Sequence, residues 1–340
     1  MSSDPSPSPG YSADDSLPPV EPPSAGFIVQ LFVVPGVIVL VVVTIWVMFS
    51  WLAQKGNDGE AYVKALSRNN EARWQAATNL ATALRAEEGS KSPTLTNDPV
   101  LAKKLADILD REIETASMQD NSLTLRLWLS LALGAFKVPD GLPTLIKAAG
   151  TNRDEKEGDV QRAAIEGIAL LADHSEDRKP FTDNAPLEAV IEKAAADPDA
   201  RTRSVAAVAL GVIGMPKMIE KLHYMLEDTN PNVRYNAAAR LAQRGDVAAI
   251  PVLEEMLDPA EMAGVDLEQN KEAKPFKRAL ITLNALRATS QLATKNSDAD
   301  LKPLEAAVKK LLSGEISGET RVEATGVLHQ LEHRTAKQAA

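Results

Sequence analysis

The sequence lacks cysteine altogether, and aromatic residues make up only 4% of its 340 positions. Without cysteine, the chain can form no disulfide, no thiolate metal site and no thiol nucleophile. Strands favour aromatic and β-branched side chains, whereas the abundant alanine and leucine of this chain suit closely packed helices. The composition therefore predicts an all-α protein.

An excess of positive charge is also missing. The chain has 37 Lys and Arg against 47 Asp and Glu, which gives a formal net charge of −10. Proteins that bind nucleic acids gain most of their affinity from basic side chains that displace counterions from phosphates. We therefore expect no DNA or RNA partner.

Charge of either sign is absent from residues 27–52, which are dominated by Val, Ile, Leu and Phe. A helix of this length, at about 1.5 Å per residue, exceeds the thickness of about 30 Å of a bilayer's hydrocarbon layer. The run is too long for a core strand, and no basic segment precedes it as in a signal peptide. Trp46 and Trp51 lie towards its end, as at a membrane interface. The sequence predicts one transmembrane helix over residues 27–53.

The segments on the two sides of this predicted span differ in charge. Residues 1–26 are rich in Ser, Pro and acids, contain no Lys or Arg, and have too few apolar side chains to fold, so we expect a disordered tail. The basic residues that closely follow the span are Lys55, Lys64, Arg68 and Arg73. The positive-inside rule therefore predicts that residues 54–340, which follow the span, lie in the cytoplasm.

Residues 54–340 contain an internal repeat. The segments DPDARTRSVAAVALGVIG, from Asp197, and DTNPNVRYNAAARLAQRGD, from Asp228, share an acid, an arginine six residues later, small residues and then a leucine. Five further copies of this frame, two moderate and three weak, have their anchor residues at Arg73, Arg126, Gln161, Arg278 and Arg321, and successive anchors lie 31 to 53 residues apart. Such periodicity predicts stacked helical units, each of which buries one face against the next.

The acid and the arginine of each frame suggest a structural ladder. A carboxylate at a helix N-terminus accepts free backbone amides, and an arginine one turn later can clamp that carboxylate or reach the next repeat. The predicted pairs are Asp120 with Arg126, Asp197 with Arg203, Asp228 with Arg234, and Glu315 with Arg321.

Prolines keep a fixed distance from the anchors. Pro143, Pro186, Pro216 and Pro303 each precede an anchor by 17 or 18 residues, and Pro251 precedes Arg278 by 27. A proline fits the first turn of a helix, where its missing amide costs nothing, or a kink within one. Each repeat is therefore expected to be a helix, a short turn and a second helix.

These residues resemble the HEAT-repeat family, and particularly its short bacterial members, over about residues 60–335. The resemblance implies a right-handed α-α superhelical solenoid, armadillo-like, of about six to seven helix pairs. Three departures stand out: Gln161 replaces the arginine, Ser67 replaces the acid before Arg73, and residues 258–275 form an insertion. That insertion is either an ordered edge that binds a partner or a solvated charged loop.

Few residues suggest chemistry. The string HQLEH, with His329, Glu332 and His333, has the form of an inverted zinc-peptidase motif, but only seven residues follow it to supply a third ligand. His174 and His223 have no partners in a recognisable catalytic pattern, and no nucleotide-binding motif occurs. We predict no catalytic residue, no cofactor and no metal site, and hence no enzyme.

The main hypothesis from the sequence is a membrane-tethered HEAT scaffold or adaptor. It would be a single-pass protein of a bacterial inner membrane that binds one or more membrane-associated proteins on its cytoplasmic solenoid. Two alternatives stay open. Some HEAT-like proteins resemble phycobilin lyases, which suggests a lyase or maturation factor, and contacts through Gln30 and Gly36 would suit a structural subunit of a membrane complex.

Overall fold

The structure is a computed structural model that describes Gly26 and residues 34–55, 59–68, 72–87 and 93–338, with only the backbone at 49–55 and 335–338. The chain divides into two units, Met1–Asn57 and Asp58–Ala340. Apart from Gly26, the predicted disordered tail lies outside the described residues.

The first unit contains helix α1, Val34–Lys55. The side chains of residues 34–48 are exposed on every face of this helix. Among the residues that the structure describes, no helix meets both the length and the apolarity required to cross a membrane. Residues 27–33, with which the predicted span begins, lie outside the described ranges.

The second unit is built of helices in all of its described parts. Its first eight helices are α2 Gly59–Leu66, α3 Arg73–Ala86, α4 Pro99–Thr115, α5 Asp120–Gly134, α6 Leu142–Gly150, α7 Gly158–His174, α8 Lys179–Thr182 and α9 Ala185–Ala195. The others are α10 Ala200–Ile213, α11 Pro216–Met225, α12 Pro231–Ala242, α13 Ile250–Leu257, α14 Ala263–Asp266, α15 Lys274–Lys295, α16 Lys302–Leu312 and α17 Gly318–Gln338. Short 3-10 turns occupy Pro139–Gly141, Glu155–Glu157 and Val247–Ala249.

These helices form two layers. The arginine-helix layer consists of α3, α5, α7, α10, α12, α15 and α17, which carry the repeat anchors and contact one another in that order. The proline-helix layer consists of α2, α4, α6, α9, α11, α13 and α16, each paired with the arginine helix that follows it. The described residues thus form seven stacked helix pairs, which confirms the all-α solenoid of six to seven pairs.

The prolines begin helices, as one of the two predicted placements required. Pro143, Pro186, Pro251 and Pro303 lie in the first turn of α6, α9, α13 and α16, and Pro216 is the first residue of α11. At these positions a backbone amide would have no partner within the helix, so proline loses nothing and its ring favours the helical φ angle.

Small residues let the arginine helices pack closely. A Cβ atom on Gly134 would lie 2.6 Å from the Cα of Gly167, and one on Gly167 would lie 2.5 Å from the carbonyl oxygen of Ser130. Helices α5 and α7 therefore approach each other more closely than any larger residue at these positions would allow. Alanines such as Ala207 and Ala238 are fully buried in the other arginine helices.

An arginine ladder exists, and four of the anchor arginines reach forward along the stack to an acid of the next repeat. Arg203 donates to the backbone carbonyl of Asp197 at 2.9 Å and forms two bonds of 2.8 Å with the carboxylate of Asp228 in the next repeat. Arg234 likewise donates to the carbonyl of Asp228 at 2.9 Å and to the carboxylate of Glu255 at 2.5 Å. The hydrogen bonds from Arg203, against the opposing effect of burial, lower the pKa of Asp228.

The same pattern holds in the repeats at the N-terminal end. Arg126 donates to the carbonyl of Ser117 at 2.7 Å and to the carboxylate of Glu157 at 2.5 Å. Arg73 donates to the carbonyl of Leu66 at 2.7 Å and pairs with Glu112 at 2.8 Å. Arg73, Arg126, Arg203 and Arg234 therefore each tie the turn of their own repeat to an acid of the next.

The four predicted pairs need correction on this point. The acid of a repeat caps its own turn, since Asp197 and Asp228 each accept the amide two residues later at 2.8 Å. The arginine of the same repeat donates instead to the backbone carbonyl of this acid. Arg126 contacts Ser117 rather than Asp120, and Arg321 contacts the carbonyls of Leu312 and Gly314 rather than Glu315.

The departures from the frame have structural substitutes. Where Gln161 replaces the arginine, the adjacent Arg162 donates to Asp199 of the next repeat at 2.6 Å. The insertion is ordered and packs against its neighbours: Val265 in its short helix α14 is 1% exposed, and Arg278 donates to the carbonyl of Glu261 at 2.7 Å. The insertion is therefore not a fully solvated loop.

Candidate binding groove

A groove of about 420 Å³ opens on the arginine-helix layer between α12 and α15. A second depression of about 270 Å³ lies beside it, across α7, α10 and α12. The two share Asn236 and Arg240, so together they form one surface, which we call the arginine-layer groove. Four successive repeats contribute to it.

The part between α12 and α15 is lined by amides and cations. Its amides are Asn232, Asn236, Asn284, Gln243 and Gln291, and its cations are Arg240, Lys277 and Arg287. No carboxylate belongs to this lining. The chain has a net charge of −10, whereas this surface carries three cations and no acid, so its charge is opposite in sign to that of the whole chain. A positively charged surface favours an anionic ligand.

Arg240 is the best-defined cation of the groove. Its stem crosses α10 at Gly211, where a Cβ atom would lie 2.3 Å from the Cβ of Arg240, so glycine is needed there. Its guanidinium donates to Gln243 at 2.9 Å. Burial lowers the pKa of Arg240, and the field of Asp173 offsets this only in part. Its positive charge is therefore incompletely compensated.

The other two cations of the groove are Lys277 and Arg287. Among the described residues, neither Lys277 nor Arg287 forms an ion pair, and Arg287 is exposed. The amide of Asn236 donates to the hydroxyl of Ser204 at 2.9 Å and so is oriented by α10. Asn284, one turn before Arg287, is exposed at the surface of α15. The groove thus has one anchored amide and several accessible polar groups.

The part across α7 and α10 is apolar at its base. Val205, Val208 and Val212 line it from α10, and Leu170 lines it from α7. Glu166 and Asp173 lie along the α7 side. The arginine-layer groove therefore passes from an apolar depression with acids at one edge to a polar channel with cations.

The insertion supports the floor of the groove. Tyr235, a residue of its lining, is 5% exposed and donates its hydroxyl to Glu255 at 3.0 Å. Burial, reinforced by that carboxylate, raises the pKa of Tyr235, so the hydroxyl stays protonated. Gly264 of the insertion packs against the same ring, since a Cβ there would lie 2.5 Å from it. Residues 258–275 thereby hold the tyrosine in place.

None of the eight predicted ladder residues lines the arginine-layer groove. A signal for the groove was nevertheless present in the repeat frame. Three positions after each anchor point to the groove: the second, the fifth or sixth, and the ninth residue. In α10 all three are valines. In α12 they are Asn236, Arg240 and Gln243, and in α15 they are Leu280, Asn284 and Arg287. The spacing defines one face of a helix, and this face becomes polar and basic along the stack.

The histidines lie away from the groove. His223 contacts the carboxylate of Asp246 at 2.6 Å, and His174 ends α7. His329 and His333 lie on α17 with their Nε2 atoms 2.9 Å apart. No group of three or more metal-ligating side chains occurs within the described part of the chain.

The seven stacked pairs define an α-helical repeat solenoid. Residues 187–263 match the family model for HEAT repeats, so the chain contains HEAT repeats. This segment covers α10 and α12, which contribute much of the groove, together with α11 and α13. No curated protein shows significant similarity to the chain.

Solved structures show a distant likeness. The chain is 17% identical to the Escherichia coli protein YibA, over 83% of this chain and 96% of that one, with a TM-score of 0.42. It is also 17% identical to human deoxyhypusine hydroxylase, whose structure was solved with glycerol, over 84% and 99% of the two chains, with a TM-score of 0.30. A likeness at this level says nothing about function.

Proposed function

We propose that this protein is a membrane-tethered HEAT scaffold, without catalytic activity, that binds an extended acidic segment of a partner protein in the arginine-layer groove. The observation that carries the proposal is the groove itself, with three cations and no carboxylate in its polar part. The surrounding protein is acidic, so this is a site to which an anionic partner is attracted and at which it is held.

The amides of the groove favour a peptide as the ligand. Each Asn or Gln side chain both donates and accepts hydrogen bonds, as does each unit of an extended backbone. Arg287 and Arg240 can bind carboxylates of the same segment, and arginine does so with two parallel hydrogen bonds. Sites for small molecules are enclosed and mostly apolar. The polar lining therefore fits a peptide better than a small apolar cofactor.

The apolar part of the groove adds a second element of recognition. Val205, Val208 and Val212 form a shallow surface on which an aliphatic side chain of the partner can lie. Full burial of one such side chain contributes about 1.5–3 kcal/mol, so partial burial on this shallow surface contributes less. A segment with one aliphatic residue followed by acids would therefore match the arginine-layer groove along its length.

The tether is supported by the residues around α1. Residues 27–52 carry no charge, and the described side chains at 34–48 are apolar or small on all faces of the helix. A helix that is apolar all round belongs in a protein core or in lipid. Anchoring at a bacterial inner membrane, with the solenoid in the cytoplasm, would raise the effective concentration of a membrane-associated partner.

Charge reversal in the groove tests the binding site. Full-length protein carrying Arg287→Glu should recover less of its partner from detergent-solubilised membranes than wild type does. Lys193→Glu is the matched control, because Lys193 is an exposed cation on α9 of the proline-helix layer, outside the groove. Equal recovery by the two variants would contradict a role for the groove.

The tether has its own test. Full-length protein should stay with membranes through an alkaline wash, whereas a chain lacking residues 1–57 should be released. Release of both chains would contradict the tether but would leave the groove untouched. Recovery of the same proteins with the solenoid present or deleted would contradict the scaffold.

A further inference from the structure

Helix α17 packs against α15 and α16 of the described chain. The side chain of Gln330 forms two hydrogen bonds with Ser290 of α15. It accepts from the Ser290 hydroxyl at 2.7 Å and donates to the Ser290 backbone carbonyl at 3.1 Å. One turn later, Arg334 donates to the carbonyl of Ala299 at 2.8 Å. These contacts fix the position and rotation of α17 against the preceding repeat.

Another face of α17 is open, and two histidines lie on it. In the preceding repeats the corresponding face is covered by the next arginine helix, but no helix of the described residues covers α17. Val322 is 75% exposed, and no atom lies within 4 Å of a Cβ placed on Gly326. His329 and His333 are exposed, with ring centroids 4.2 Å apart and Nε2 atoms 2.9 Å apart.

We propose that His329 and His333 chelate a divalent transition-metal ion such as Ni²⁺ or Cu²⁺ through their Nε2 atoms. Imidazole is a preferred ligand of these ions. With metal–nitrogen bonds of about 2.05 Å, neighbouring positions at a right angle lie about 2.9 Å apart, whereas tetrahedral positions lie about 3.3 Å apart. The observed separation matches the right-angled arrangement of square-planar and octahedral ions.

Helix geometry prepares this site in advance. Residues four apart lie on one face, and the contacts of Gln330 and Arg334 keep the helix regular through both histidines. In the present contact one ring donates an N–H to the other. When the ion binds, the proton of the donating Nε2 moves to Nδ1 of the same ring by exchange with solvent, so that both rings carry their proton on Nδ1 and offer the lone pair of Nε2 to the ion. Water fills the remaining positions.

The site binds an ion but is not arranged as a zinc peptidase. In the HQLEH string the glutamate would have to face the metal, yet Glu332 pairs with Lys309 of α16 at 3.0 Å. Its carboxylate is therefore directed towards the preceding helix. The two histidines supply a chelate without a general base beside it.

Titration of the purified full chain, in mild detergent and with any affinity tag removed, tests the proposal. Calorimetry with NiCl₂ should show about one ion per chain at a saturable site. His329→Ala and His333→Ala should each weaken binding by more than about tenfold, since even loss of an outer-shell partner costs about 10–100-fold. His223→Ala, which removes a histidine on α11, should bind as wild type does. Circular dichroism should report equal helix content for all four proteins.

Three results would overturn the proposal. The first is the absence of saturable binding by the wild-type chain. The second is equal loss of binding in His223→Ala and in the two α17 variants. The third is uptake of half an ion per chain that occurs only as chains associate, because the ion would then be shared between two copies.

Discussion

Two interfaces between arginine helices, α5 with α7 and α12 with α15, use the same repeat frame in opposite ways. At the first, Gly134 and Gly167 bring the helices together, and Arg126 and Glu157 are each only 1% exposed. At the second, the helices leave a groove of about 420 Å³ that is lined by three cations, of which Arg287 is exposed.

The difference separates an interface that joins repeats from the surface at which we propose that a partner binds. At the α5–α7 interface the charged groups are consumed in joining repeats, so none is available to a ligand. At the α12–α15 interface the anchor Arg234 still joins repeats through Glu255, but a second set of cations lies one helix face away. The insertion packs against Tyr235, which lines this groove.

The largest effect is expected from removing the buried charge at the first interface. In Glu157→Gln, Arg126 is left buried without its carboxylate, and loss of one partner of such a pair costs about 3–5 kcal/mol. Urea unfolding followed by circular dichroism measures this cost. Glu155→Gln, an exposed change two residues away, is the control, and a similar loss in both variants would contradict the assignment.

Acid should weaken the same interface. Burial alone would raise the pKa of Glu157, but hydrogen bonds from Arg153 and Arg126 lower it to about 2, against an ordinary value of 4.5. Because the folded pKa is the lower one, the stabilisation is complete above about pH 4.5 and is lost as the pH falls towards 2. The shift corresponds to about 3 kcal/mol. Unfolding midpoints between pH 6 and about pH 2 should fall more steeply in wild type than in Glu157→Gln; parallel curves would contradict this account.

Close packing gives the next largest effect. In Gly167→Ala the new Cβ would lie 2.5 Å from the backbone oxygen of Ser130, so the helices must separate, at a cost of about 1–3 kcal/mol. Gly326→Ala is the matched change on the open face of α17. It meets no atom and should stabilise by up to about 1 kcal/mol. Thermal unfolding of both variants measures the contrast, and shifts of the same sign would contradict it.

The smallest effect on stability is expected in the arginine-layer groove. Arg287→Glu breaks no ion pair among the described residues, so its free energy of unfolding should stay within about 0.5 kcal/mol of wild type. Partner binding should nevertheless weaken about tenfold, which is about 1.4 kcal/mol. Loss of stability together with binding would show that Arg287 is structural.

The fold was largely predictable because the same pattern of anchors and prolines occurs in several repeats. The anchors and the prolines gave the helix pairs, and the structure places those prolines at helix starts. The partner of each arginine was not predictable, because the frame shows which residues are near in sequence and not which way a side chain points along the stack. Thus Arg203 was assigned to Asp197, whereas its carboxylate partner is Asp228.

The groove could have been predicted only in part. Asn236, Arg240 and Arg287 stand at positions of the repeat frame that lie on one helix face, so this face could be predicted from the sequence. That α12 and α15 leave space between them depends on how the insertion packs, and this follows from three-dimensional contacts such as that of Gly264 with Tyr235. Prediction of the groove therefore requires both the shared helix face of these polar residues and the space between α12 and α15.

Site-specific crosslinking in intact membranes tests the central claim most directly. A photoreactive residue at position 284, in the groove, and one at position 193, on the proline-helix layer, would be compared in the full-length protein. The account predicts that position 284 crosslinks to one partner, within an acidic extended segment identified by mass spectrometry, and that position 193 does not. Crosslinks to the same protein from both positions, or to segments without acids, would contradict it.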